Sequence, residues 1–427
     1  MMHKSDIVVW IITCIFLTII FARHFWQTHN NSCITAHDYY TNLDKNPKCY
    51  YNPDIDLTVP EIIRRYGYEV ETLEVATEDH YILKAYRILS KKSDGFTPPQ
   101  PVYLQHGLFQ NSKAFLMQGN KSLPFMLADA GYDVWLGNLR GTLYSRHTYL
   151  SKLDNKFWDY SLDEYAYSDV LSLIDLVYEQ TQRKIIYIGY SVGATIAYAY
   201  SARFPNVAQA KMQILVALGP TVHPKELKSA SRHILSNWNY ILPVVKFWSK
   251  GSVDVKKFGY FDWSSVCFPF PFQMRLCEVA TQLTHDFSLD KIDPEFWPLI
   301  LVNSFDVVSI KVVTHLSQIL ASGEFRSFRS SDEENQSKYS NIGVDLSNAR
   351  IPTYILRAEN DAISTKKNVE FLHSNLPVEA TKHAVYVIKD GNFTHGDLLW
   401  HKDVNTHVNV PIIKFIDEFL VNVRDQE

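Results

Sequence analysis

The sequence predicts an α/β fold: a mostly parallel central sheet with helices on both faces, interrupted by a mainly helical cap. Three observations carry that expectation. The first is a series of short apolar runs at 101–105, 132–136, 184–188, 213–218, 353–356 and 384–388. They do not alternate with polar residues, which is the pattern of strands covered on both faces, as in a parallel sheet. The second is the helical spacing between them. Leu162, Ala166, Val170, Leu173, Ile174 and Val177 line one face of a helix, and strands alternating with helices define the α/β class. The third is a gap: the alternation stops at Thr221 and resumes only after Arg350, so this stretch reads as an insertion.

Composition bounds the rest. With 427 residues, 46% hydrophobic and 21% charged, the chain is too apolar to be disordered and long enough for a large core. A net charge of −4 lacks the basic excess of a nucleic-acid binder. Sixteen Gly and 18 Pro exclude a collagen-like or low-complexity chain. No repeat period points to a solenoid or propeller.

The amino terminus speaks to compartment. From Ile7 to Ala22 no residue is charged. A signal-peptide apolar region runs about 7–15 residues and a spanning helix about 17–25, so this run falls between the two. The bulky Arg23, His24, Phe25 and Trp26 offer no small-residue cleavage site. A cleaved signal is the preferred reading, with an uncleaved signal-anchor as the alternative. Either sends the remaining chain into the secretory pathway, to be secreted or held in a lysosomal lumen. Sequons at Asn30, Asn120, Asn335 and Asn392 agree with that route. An oxidising lumen also permits disulfides. Cys267 with Cys277 closes a short loop and is the preferred pair; Cys33 with Cys49 is the other candidate.

The strongest chemical signal is Gly189-Tyr190-Ser191-Val192-Gly193, placed after an apolar strand and before the Ala-rich helix that stops ahead of Pro205. In a strand–turn–helix context this G-x-S-x-G pattern is a nucleophile elbow. Glycines two residues either side of the serine let strand and helix pack closely, and the serine Oγ stands above the sheet at a helix N-terminus. The bland alternative is an ordinary glycine-bounded turn. An elbow demands an acid and then a histidine, each after a late strand. Asp361 follows the fifth apolar run and His395 the sixth. Glu359 is the rival acid. Asp397 reads as a neighbour that steadies the histidine loop, and His373, His383 and His401 as surface or helix histidines. An oxyanion hole would take its N–H donors from Val192, just after the nucleophile, and from Leu108 in the loop after the first run. His106 reads as a structural loop residue.

Several multi-residue motifs then fall in one order. They include Tyr66-Gly67-Tyr68-Glu69, Gln105-His106-Gly107-Leu108, Gly137-Asn138-Leu139-Arg140-Gly141, Phe157-Trp158-Asp159-Tyr160-Ser161 and Thr314-His315-Leu316-Ser317-Gln318, beside the Ser191, Asp361 and His395 segments. From about Asn52 to Val421 the chain resembles the gastric and lysosomal acid lipases, a neutral-lipid branch of the α/β-hydrolases. The resemblance implies the α/β-hydrolase fold, Ser191 as nucleophile, His395 as base, Asp361 as its orienter, and oxyanion donors at Leu108 and Val192. There are departures. His80 stands where the family usually has Gly, Tyr190 and Val192 flank the serine where the family has His and Gln or Met, and Asn111 replaces a common Ser.

The expected division is residues 1–30 as signal peptide or signal-anchor, 31–220 as the first part of the hydrolase core with a lipase-associated segment at 50–95, 221–350 as the cap or lid, and 351–427 as the second part of the core. Within the cap, residues 258–272 hold seven aromatics. They read as an apolar lid over an ester site or as a small core stapled by a disulfide; charge-rich 326–341 reads as a solvated loop. The function expected is hydrolysis of triacylglycerols or sterol esters at a lipid–water interface, with no metal or organic cofactor. The alternatives are a catalytically silent lipid-binding protein on the same fold and an esterase for small soluble esters.

Overall fold

A computed structural model describes residues 10, 13–18, 30–43, 45–89, 99–254, 257–258, 261–262, 278–279, 282, 286–287, 289–330 and 343–425. At its centre is a nine-stranded sheet. Its strands are β1 (Val70–Ala76), β2 (Tyr81–Ile88), β3 (Pro101–Gln105), β4 (Asp133–Gly137), β5 (Ser145–His147), β6 (Ile185–Tyr190), β7 (Met212–Leu218), β8 (Thr353–Ala358) and β9 (Tyr386–Ile388). The order is β9-β8-β7-β6-β3-β4-β2-β1, with β5 on β2. Pairing is parallel from β9 across to β4 and antiparallel at β1, β2 and β5. Each of the six apolar runs is a strand, with bounds moved by up to two residues.

These strands are buried on both faces, and their side chains divide accordingly. Tyr103, Trp135, Ile185, Tyr187 and Leu215 point into one core. Their chain neighbours Val102, Leu104, Val134, Leu136, Ile186, Ile188, Ile214 and Val216 point into the other. Period-two alternation thus places apolar residues on both sides, and each buried aliphatic contributes about 1.5–3 kcal/mol.

The helices that cover the sheet include α1 (Leu123–Ala130), α2 (Leu171–Thr181) and α3 (Val192–Arg203). The apolar stripe from Leu162 runs into α2 through a widened π turn at Tyr165–Val170. Asp169 lies in that turn and binds the fully buried Arg140, whose guanidinium also meets Asp79 and lies 4.1 Å from the centre of the Tyr81 ring. Removing one partner from such a cluster strands a buried charge, at about 3–5 kcal/mol. The Gly137–Gly141 motif therefore carries a structural ion cluster. His80 has φ 69° in the turn between β1 and β2. That left-handed backbone accounts for the glycine usual at this position.

Residues 219–352 run between β7 and β8, which pair in the sheet. They hold α4 (Ser231–Ser236), α5 (Trp238–Trp248) and α6 (Ile310–Ser322). One expectation here is corrected. Arg326, Ser327 and Phe328, taken as the start of a solvated loop, are buried. The Phe328 N–H donates to Asp163 at 2.8 Å, and the Arg326 carbonyl lies 2.7 Å from His315 Nε2. Backbone bonds to buried polar groups outweigh the local charge density. Residues 331–342 lie outside the described residues, as do Cys267, Cys277 and most of 258–272. Cys33 and Cys49 form a disulfide. It pins the segment before the sheet against Phe287, Trp297 and Trp400 in a third core cluster. α7 (Lys366–Asn375) follows β8 and α8 (Val410–Arg424) closes the chain.

Candidate active site

Parallel pairing aligns the carboxyl ends of β3, β6, β7, β8 and β9, the edge where α/β sheets carry their sites. Five loops leave that edge, bearing His106–Leu108, Ser191, Gly219, Asp361 and His395.

Ser191 stands alone between the end of β6 and the start of α3. Its backbone has φ 53° and ψ −118°, a strained conformation for a residue with a Cβ. The surroundings hold it there. Its N–H donates to the Leu218 carbonyl at 2.8 Å, and its own carbonyl accepts from the N–H groups of Ala194 and Thr195 at 3.0 and 3.1 Å. The flanking glycines are required by close approach. A Cβ on Gly189 would come within 2.6 Å of the Ala194 backbone, and one on Gly193 within 2.4 Å of the Gln105 carbonyl.

Three side chains meet above the sheet. His395 Nε2 lies 3.0 Å from Ser191 Oγ, and His395 Nδ1 lies 2.8 Å from Asp361 Oδ2. All three residues are buried. The second oxygen of Asp361 accepts the N–H groups of Ile363 at 2.8 Å and Ser364 at 2.5 Å. An ionised carboxylate with both oxygens engaged orients an imidazole without taking its proton. Glu359, the rival acid, is exposed. Asp397 Oδ2 accepts from the Thr394 N–H and hydroxyl at 2.8 and 2.7 Å and ties the loop to Lys291, the steadying role read from sequence. His401, read as a surface or helix histidine, caps a helix but is not at the surface. It is buried with its ring 4.6 Å from that of Phe393, at the end of the short helix Asp397–Trp400, whose Leu398 and Trp400 are buried as well.

The loop after β3 approaches the same point. His106 is buried, which holds its imidazole down to about 4 and so neutral. Its Nε2 accepts the Leu139 N–H at 3.2 Å and its Nδ1 faces the Gly107 carbonyl at 2.9 Å. It braces the loop. The N–H of Gly107 is taken by Gln110 Oε1 at 3.1 Å, which leaves Leu108 as the next donor along. Val192 occupies the first position of α3, where no preceding turn offers its N–H an acceptor.

A cavity of about 230 Å³ opens beside Ser191 and His395, and both Leu108 and Val192 line it. Its far wall comes from the segment between β7 and β8: Leu227, Ile234 and Leu235, Trp238 on α5, and Val313 and Leu316 on α6. The walls are predominantly apolar, with Gln110, Thr221 and Ser231 among the polar exceptions.

Sequence reasoning missed three contributors. Tyr190 donates its hydroxyl to the His395 carbonyl at 3.2 Å. Gln110 sets the loop after β3. Asp286 accepts from both the acid loop and the base loop. Only Tyr190 carried a signal, as a departure from the family pattern beside the nucleophile.

Comparison with known proteins places the chain among lipases of the α/β-hydrolase fold. A model described as a partial alpha/beta-hydrolase lipase region matches residues 59–119, and one for the alpha/beta hydrolase fold matches residues 100–251. Lipase member K of Homo sapiens is 31% identical over 380 residues, covering 87% of this chain and 93% of that protein. Lipase 1 of Drosophila melanogaster is 32% identical, covering 82% and 77%. Gastric triacylglycerol lipase of Rattus norvegicus is 29% identical, covering 86% and 93%. A solved structure from Sulfolobus solfataricus shares the fold with TM-score 0.51 at 13% identity, covering 82% of this chain and 99% of that one. The fold and site define a carboxylic ester hydrolase of the α/β-hydrolase class. The chain belongs to the acid lipase family within that class.

Proposed function

We propose that this lipid ester hydrolase cleaves triacylglycerols or sterol esters through an acyl-enzyme on Ser191. The observation that carries the reading is the Ser191–His395–Asp361 chain of contacts opening into an apolar cavity. His395 Nε2 takes the Ser191 proton as Oγ attacks the ester carbonyl carbon. The N–H groups of Leu108 and Val192 receive the negative charge that forms on the carbonyl oxygen. The imidazolium, held by Asp361, returns the proton to the leaving alkoxide, and the alcohol departs. Water, deprotonated by His395, then attacks the acyl group, and fatty acid leaves with Ser191 restored.

Residues 221–350 act as the cap in this reading, since their helices supply the acyl-facing wall. The exposed Tyr240, Val244 and Phe247 recur along one face of α5. A soluble enzyme leaves such a stripe bare where it meets lipid. A secreted or luminal location is supported by the Cys33–Cys49 disulfide, a bond that persists in oxidising compartments. Among the described residues no helix is long and apolar enough to cross a membrane; of the run from Ile7 to Ala22 only Trp10 and residues 13–18 are described.

Ser191→Ala tests the proposal. Release of fatty acid from a long-chain triacylglycerol should fall at least about a thousandfold, and a fluorophosphonate should label wild type but not the variant. Undiminished release would overturn the assignment.

A further inference from the structure

One carboxylate oxygen joins the two loops that carry the acid and the base. Asp286 Oδ2 accepts the N–H of Ala362, the residue after Asp361, at 2.9 Å, and the N–H of His395 itself at 3.3 Å. The Asp286 main chain adds a second hold on the base loop: its carbonyl accepts from the Gly396 N–H at 3.1 Å and the Thr394 hydroxyl at 2.8 Å. Asp286 belongs to neither loop. It enters from the segment between β7 and β8, and the next residue, Phe287, is buried against Trp400. The two loops leave the paired strands β8 and β9, and near the sheet Asn360 Nδ2 donates to the Gly391 carbonyl at 2.7 Å. Farther out, beside Asp361 and His395, a third piece of chain adds four bonds, one to the acid loop and three to the base loop.

We propose that Asp286 is a positioning residue for the relay: its side chain clamps the Asp361 and His395 loops together and thereby holds His395 in line with Ser191. The inference rests on the reading of Ser191, His395 and Asp361 as that relay. Asp286 touches no reacting atom. Burial raises its pKa and the neighbouring Asp361 charge adds to the rise, while the bonds from Ala362 and His395 oppose it; the clamp itself needs only an acceptor oxygen at Oδ2, not a charge. Its backbone sits at φ 55°, a conformation that Asn and Gly tolerate. Two substitutions therefore separate the clamp from the backbone. Asp286→Asn keeps an acceptor oxygen and loses the charge. Asp286→Gly keeps the turn and loses the acceptor.

The experiment measures kcat, KM and Tm for both full-length variants on a long-chain ester, with the rate of fluorophosphonate labelling at Ser191 as a second readout. Asp286→Gly should lower kcat and the labelling rate roughly 10- to 100-fold with KM within about twofold, as expected for misplaced catalytic groups. Asp286→Asn should recover to within about threefold of wild type. Equal losses in the two variants would assign the effect to charge and overturn the clamp, and wild-type rates in both would also overturn it. If Asp286→Gly does not fold, Asp286→Asn decides alone: a folded variant slowed more than tenfold overturns the proposal, and near-normal kcat upholds it. Failure of wild type itself to label at Ser191 would instead remove the relay reading, a result independent of either variant.

Discussion

The hydroxyl of Tyr190, the residue immediately before Ser191, donates a hydrogen bond to the main-chain carbonyl of His395, and the two rings lie 5.1 Å apart. The strand that leads into Ser191 and the loop that bears His395 are thus joined directly. Burial pushes the Tyr190 phenol well above its ordinary pKa, so it remains a donor across the working range. Tyr190→Phe keeps the ring and removes the bond, worth about 0.5–1.5 kcal/mol. The expected result is a kcat reduced roughly threefold to tenfold with KM unchanged, read from steady-state hydrolysis. An unaltered kcat would show that ring packing alone orients the loop.

Gly219 closes the other side of the same histidine. It has φ 56°, and a Cβ there would come 2.9 Å from His395 Cε1 and 3.0 Å from Nδ1. Gly219→Ala forces the imidazole to move and adds about 1 kcal/mol of backbone strain. Activity should fall about 10- to 100-fold, while Tm drops only by a few degrees. A calorimetric scan beside the rate measurement separates the two effects.

Asp163 gives stability a pH dependence. Burial pushes its carboxyl up to about 7, against about 3.9 in the unfolded chain. Between those values the folded protein holds a proton that the unfolded chain has released. Stability is therefore greatest at the acidic end of the window, declines as pH rises from about 4 to about 7, and levels off above it. The groups facing Asp163 include Glu164 and Lys311, and its acceptor role toward Phe328 suits an amide equally well. Asp163→Asn should flatten the slope of Tm against pH between pH 5 and 7.5. Parallel slopes for variant and wild type would place the origin elsewhere.

The Cys33–Cys49 disulfide spans a sequence separation of 16, a loop whose closure is worth about 3 kcal/mol on chain entropy. Replacing both cysteines by Ser should lower stability by that order in urea titrations. Turnover of the folded fraction should stay near normal, since neither cysteine approaches Ser191. A comparable loss of kcat would tie the segment before the sheet to the site.

How much of this was legible in the sequence differs from residue to residue. The strands and the elbow were, because buried parallel strands and close strand–helix packing leave unbroken apolar runs and paired glycines. Asp361 and His395 were located by chain order after late strands. Asp286 was not, since nothing near it in the chain marks a carboxylate that will meet two loops 76 and 109 residues away. Loop length favours Cys267 with Cys277, which lie outside the described residues, whereas the longer-loop pair Cys33–Cys49 is formed. Cys33 and Cys49 stand opposite each other in a short antiparallel ladder, a pairing that loop length does not reveal. The burial of Arg326–Phe328 was hidden for the same reason: charge density is local, and the Asp163 that recruits this backbone is 165 residues distant.

The segment that walls the cavity leaves the sheet at β7 and returns at β8, neighbouring parallel strands about 5 Å apart. Strand pairing holds both attachment points, so the shape of the walls is set by the excursion and not by the strand register or the turn at Ser191. Asp286 constrains its course. Any replacement for this excursion must still return a hydrogen-bond acceptor to one place, within reach of the Ala362 and His395 N–H groups.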